Sequence, residues 1–116
     1  MPSKGLGQNF RAQRAMKILQ PNLYPLTRKS FMHYFYTLRS LKDKDLYFGY
    51  TNDLRKRFKE HNAGRVDSTK ERRPLEIIYY EAYKSEKDAQ ERERQIKRRA
   101  KAHISLKRRI KNSINE

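Results

Sequence analysis

Cysteine is absent from this 116-residue chain. That excludes disulfides and any thiolate metal site, and it makes a reducing, cytoplasmic setting the expectation. No apolar run approaches the ~20 residues a membrane helix needs, so no membrane partner is expected. No secretory apolar region is visible either. Acidic residues are missing from residues 1–31, which hold six basic groups. Such a start mimics an organelle transit peptide in charge but is too poor in serine for one. A start at Met32, with a dispensable extension before it, is the blander expectation. Several chemical templates are missing too: a Gly-rich phosphate loop, a His-x-x-x-His pair and a Gly-x-Ser-x-Gly elbow.

Positive charge is abundant. Lys and Arg total 29 against 13 acidic residues, a net charge of +16. Ten of those sixteen charges lie outside residues 32–100, on the two ends. A compact body with basic arms suits a polyanion, usually nucleic acid, and DNA is the expected partner. The alternative is a solvated basic tail with no partner. The length suits one small domain with extensions. The reading divides into residues 1–30 as a basic, mostly irregular N-terminal extension, 31–100 as the domain, and 101–116 as a basic helical tail. Gly5, Gly7, Pro2, Pro21 and Pro25 break up the first segment. A short helix over residues 9–19 has weak support.

The expected fold class is α+β. His33 to Arg39 and Leu46 to Tyr50 are rich in aromatic and β-favouring residues around a polar turn, so they read as a hairpin. A helix follows, with Asn52 or Thr51 as its cap, Asp53 in its first turn and Gly64 past its end. Arg65 to Pro74 reads as a basic loop. Leu75 to Ala82 is continuous in apolar and aromatic residues, which predicts a third strand with little solvent contact. Ser85-x-x-Asp88 resembles a capping box opening a second helix. A basic helical stretch covers His103 to Lys111. A small sheet covered by helices buries this pattern.

Helical spacing singles out two positions. Arg57 lies beside the inward pair Leu54 and Phe58, four residues before His61. Its guanidinium either clamps a phosphate or caps apolar surface with its stem while the head reaches water. Glu93 falls inside the stripe Ala89, Ile96 and Ala100. A carboxylate there needs a cation, either an arginine or a metal. Tyr34, Tyr36, Tyr47 and Tyr50 cluster in the hairpin, where most tyrosines simply pack. A tyrosine moving protons near neutrality needs its pKa of ~10 lowered by positive charge or a metal. His33 and His103 read as surface histidines.

Taken in order, Tyr36-Thr37-Leu38-Arg39-Ser40, then Tyr47-Phe48-Gly49-Tyr50-Thr51-Asn52-Asp53-Leu54, then Arg57-x-x-x-His61-Asn62-x-Gly64, then Ser68-Thr69-Lys70 with Arg73-Pro74, and finally Glu93, resemble the GIY-YIG nucleases. The likeness covers residues 33–100 and is greatest to small stand-alone bacterial relatives of the excision-repair nuclease subunit. It implies a three-stranded antiparallel sheet flanked by helices, and metal-dependent endonuclease cleavage of DNA phosphodiesters, in repair or recombination. It places a divalent metal, Mg²⁺ or Mn²⁺, on Glu93. It gives Arg57 the charge on phosphate oxygens, and Tyr36 and Tyr47 the attacking water, a duty His61 could share. Arg55, Lys56, Lys70, Arg72 and Arg73 would contact nucleic acid. The first triplet departs by beginning with Tyr34, with Phe35 in its middle, and Tyr50 stands where the repair subunit has lysine. A binding module that keeps the fold without the chemistry, on DNA or structured RNA, is the alternative.

Overall fold

Alternation along His33–Ser40 decides the architecture, because successive side chains of a strand leave opposite faces. In the computed structural model, which describes residues 32–116, this segment is strand β1, and Phe35, Tyr36, Thr37 and Leu38 are all buried. Burial on both faces requires cover on both sides and a partner at each edge. Strands β2 (Leu46–Thr51) and β3 (Leu75–Tyr83) supply the edges, giving an antiparallel sheet in the order β2-β1-β3. The β1–β2 turn closes through Ser40, whose buried hydroxyl accepts the amides of Lys42 and Asp43 and donates to the Arg72 carbonyl.

Two clusters of apolar residues lie on the sheet. Phe35 and Phe48 pack with Ile96, Leu106 and Ile110 under helices α2 (Glu86–Arg98), α3 (Ala100–Arg109) and α4 (Lys111–Asn115). Tyr36, Leu38 and Leu75 pack with Tyr47, Leu54, Phe58 and Ile77 under helix α1 (Leu54–Asn62). Residues 101–116, set apart in the sequence by their charge, thus contribute Leu106 and Ile110 to the core. Among the described residues, no helix is long and apolar enough to cross a membrane.

Five expectations are corrected. β3 is not shielded: most of it is half-buried, and Tyr80 is 53% exposed. It is an edge strand carrying a bulge, since Thr37 pairs with Tyr79 but Leu38 with Ile77, leaving Ile78 extra. The bulge puts Ile78 and Tyr79 together against the Phe35 cluster while Ile77 joins the opposite one, so an unbroken apolar run serves two faces. The cap of α1 is Asp53, whose extended backbone lets its carboxylate accept the Lys56 amide at 3.1 Å. Ser85 stands at the α2 N-cap but makes no side-chain capping bond. Ala100 leaves the inward stripe because the chain breaks at Arg99 (φ −115°, ψ 116°), so Ala100 opens α3 and is exposed. His103 is half-buried, its ring edge-on to Phe48 at 5.3 Å.

Candidate active site

Tyr36 lies at the centre of the sheet with 2% of its surface exposed, and its cross-strand partner on β2 is Gly49. A Cβ at Gly49 would meet the Tyr36 hydroxyl at 2.6 Å, so glycine here leaves room for the phenol. The ring therefore reaches α1, where its oxygen lies 2.8 Å from Nε2 of His61. His61 is fully buried, and its Nδ1 lies 2.7 Å from Oγ1 of Thr69. Thr69 is also fully buried, in the loop after Gly64.

Proton directions follow from the donor inventory. Arg57 lies beside the Tyr36 oxygen and can only donate. The Tyr36 hydroxyl hydrogen is therefore given to Nε2, and Nδ1–H is donated to Thr69, fixing one tautomer. Burial, with the Arg57 charge adding to it, pushes the His61 pKa down to about 4, so the ring is neutral at physiological pH. Burial also drives the Tyr36 phenol up to about 12, outweighing the opposing pull of Arg57. The lowered pKa that a tyrosine moving protons near neutrality would need is thus absent at rest: the site is too dry for a resting phenolate. The described residues bring together a neutral, hydrogen-bonded chain of Tyr36, His61 and Thr69 with a cation at its outer end.

That outer end opens on a cleft of about 310 Å³ lined by Arg57, Lys56, Glu60, Tyr50 and Glu86. Arg57 is 38% exposed along its side chain and bonds Glu60 at 3.0 Å. Desolvation works against its charge, but Glu60 and Tyr36 more than offset it and raise its pKa. Tyr50 accepts from Gln90 at 2.7 Å and donates to Glu86 at 3.2 Å, tying β2 to the start of α2. Tyr47 packs on both members of the chain, 6.4 Å from the Tyr36 ring and 5.1 Å from the His61 ring.

Glu93 comes from α2, and its charge acts on Tyr36. Its side chain is 25% exposed and pairs with Lys97 at 3.0 Å, so the cation facing it is a lysine one helical turn away. The Lys97 ammonium also lies 5.7 Å from the centre of the Tyr47 ring. Among the described residues no group of three or more His, Asp or Glu side chains gathers as a metal cage, so a divalent ion here would rest on Glu93, an oxygen ligand with solvent access that already holds a cation. Mg²⁺ needs only one or two carboxylates, keeping several waters and taking further oxygens from substrate phosphates.

The basic residues separate into two groups. Arg55 and Lys56 on α1 are exposed. Arg72 is instead turned inward onto Asp43 at 2.7 Å, holding that carboxyl's pKa down at about 2. Arg73 donates to the Lys70 carbonyl at 2.8 Å and packs over Gly64, whose φ of +80° and lack of a Cβ leave space for it. Lys70 is half-exposed, 3.8 Å from Asp67. Arg72 and Arg73 thus brace the loop that presents Thr69. The sequence singled out Tyr36, Tyr47, Arg57, His61 and Glu93, and the fold gathers them around one site. It gave no chemistry to Gly49, Thr69 or Lys97. Lys97 was within reach of the same helical spacing that selected Glu93.

Comparison with known proteins agrees with this geometry. The description "GIY-YIG catalytic domain" matches residues 32–109. A UPF0213 protein of Bacillus pumilus (strain SAFR-032) is 44% identical over 66 residues, covering 56% of this chain and 66% of that protein. UPF0213 protein YazA of Bacillus subtilis (strain 168) is 38% identical over 87 residues, 71% of this chain and 87% of the relative. UPF0213 protein CPE1444 of Clostridium perfringens (strain 13 / Type A) is 43% identical over 68 residues, 58% of this chain and 72% of the relative. No solved structure gives a significant match. With the sheet, the cluster of site residues and the match across 32–109 in agreement, the chain belongs to the GIY-YIG family of nuclease-type domains.

Proposed function

We propose that this protein is a divalent-metal-dependent endonuclease that hydrolyses DNA phosphodiesters, in repair or recombination. The observation that carries the reading is the buried chain Tyr36–His61–Thr69 ending beside Arg57, which lines an open cleft together with Lys56, Asp53, Glu60 and Glu86. A tyrosine that only packs needs one partner for its buried hydroxyl, whereas here the partner is itself held by Thr69 and the oxygen also faces Arg57. Arg57 binds the scissile phosphate and neutralises charge that grows on its oxygens. Tyr36 Oη orients the attacking water, taking its proton as the phenol's own proton passes to Nε2 of His61. Thr69 holds the ring so that Nε2 stays free to receive it. The low basicity of His61 makes a standing imidazolium unfavourable, so the transfer belongs to the transition state. Glu93 would hold Mg²⁺, which when bound stabilises the phosphate and the leaving oxygen.

The test is nicking of supercoiled and branched DNA with Mg²⁺ or EDTA, comparing wild type with Glu93→Ala and Tyr36→Phe. Metal-dependent nicking lost in both variants is expected. One observation favours a binding module instead: Lys97 already neutralises Glu93. Tight binding without cleavage on every substrate would establish that reading. Nicking that survives in both variants would sink the assignment of the site.

A further inference from the structure

A second concavity, of about 530 Å³, opens beside the cleft. Tyr34, Leu54, Arg55, Phe58, Ile77 and Tyr80 line it, and Asn52 and Asp53 belong to both hollows. It exists because the apolar stripe of α1, Leu54 and Phe58, begins only after the Asp53 cap. Tyr80 is the cross-strand partner of Tyr36 and shares its face, yet more than half of it meets solvent. Tyr34 stands edge-on to it, the ring centres 5.9 Å apart, which steadies the Tyr80 ring and leaves a face open. Arg55, exposed on α1, brings a guanidinium to the same hollow.

We infer that this groove is a stacking subsite for an unpaired DNA base adjoining the phosphate held at Arg57, so that the substrate is single-stranded or carries an unpaired nucleotide at the cut. The inference rests on the proposed function in taking the cleft as the place of the phosphate. Three features favour this occupant. Aromatic faces stack any base, whereas bases inside a duplex are already stacked on one another. Arg55 sets a guanidinium at the hollow, and the carboxylate there, Asp53, is engaged by the Lys56 amide as the α1 cap, so a phosphate chain finds a cation to meet. The hollow is continuous with the cleft through Asn52 and Asp53, so one strand can occupy both.

Binding of the full chain in EDTA, measured by fluorescence anisotropy, tests the idea without cleavage. The probes are one single-stranded DNA, its duplex and the RNA of the same sequence. Tyr80→Ala should weaken single-strand binding roughly 5- to 100-fold, the loss of one stacked base, and duplex binding by less than about twofold. Tyr80→Phe should retain wild-type affinity, because the ring and not the hydroxyl does the stacking. The quenching of a 2-aminopurine in the single strand should disappear in Tyr80→Ala. Ile104→Ala, at an exposed apolar position on α3, is the control expected to change nothing. Equal losses on single strand and duplex, or none, would overturn the subsite. RNA bound as tightly as DNA, with the same dependence on Tyr80, would overturn DNA as its occupant. Failure of the nuclease reading would be visible separately, as absence of nicking with these binding differences intact.

Discussion

Replacing Gly49 with alanine adds one methyl group and should disable the site from within. The backbone at Gly49 is not left-handed, so the effect comes from contact alone. The new Cβ would stand 2.6 Å from the Tyr36 oxygen and 2.7 Å from its Cζ. An ordinary carbon–oxygen contact is roughly 3.4 Å, so the ring must shift by about 0.8 Å. Tyr47 and His61 confine the ring. A shift of that size lengthens the 2.8 Å bond to His61 toward the limit of hydrogen bonding. Overpacking costs about 1–3 kcal/mol, and a buried imidazole nitrogen losing its partner costs about 1–3 kcal/mol more. The sum is about 2–6 kcal/mol, or a melting temperature lower by roughly 10–30 °C for a domain of this size. Thermal and urea unfolding followed by circular dichroism would read it, with the nitrogen shifts of His61 as a local reporter. In a Tyr36→Leu background the ring is gone, and Gly49→Ala should cost almost nothing further. A single variant within about 0.5 kcal/mol of wild type, or equal costs in both backgrounds, would refute the reasoning.

Stability should also fall in mild acid. The His61 pKa is depressed to about 4 from an ordinary value near 6.5, so the unfolded chain binds this proton first. His61 therefore contributes its full stability above about pH 6.5 and loses it progressively toward pH 4, by up to about 3 kcal/mol. Urea midpoints measured across that window should show the slope, and His61→Gln should flatten it; equal slopes would contradict the assignment. Lys97→Met should tighten Mn²⁺ binding at Glu93, read by the paramagnetic resonance of free Mn²⁺. An exposed pair is worth at most about 1 kcal/mol, so the gain should stay below about fivefold and shrink with salt. Weaker binding in Lys97→Met would mean that Lys97 positions Glu93 and does not compete at it.

The hairpin, α1 and α2 were legible because aromatic strands and three- and four-residue spacing are local signals. Arg57, His61 and Glu93 stood out by the same spacing. What escaped notice depends on contacts across the chain. Thr69 meets His61 only because Gly64 turns the backbone and Arg73 packs over that turn. The inward turn of Arg72 requires Asp43 from the β1–β2 turn, a neighbour that charge counting cannot supply. The sign of the Tyr36 shift depends on how dry its surroundings are, and that is set by Gly49, Tyr47 and His61 together. The bulge at Ile78 hides because an apolar run looks the same whichever face each residue takes.

The order β2-β1-β3 has a consequence for biosynthesis. The central strand leaves the ribosome before either neighbour, and its second edge stays unpaired until Leu75–Tyr83 has emerged. Glu93 follows later still, on a helix whose Ile96 packs with Leu106 and Ile110 from the final stretch. A nascent chain thus carries Tyr36 and Arg57 long before the carboxylate can be positioned. The candidate site is therefore whole only after the segment carrying Leu106 and Ile110 has emerged, since that segment holds the helix that bears Glu93.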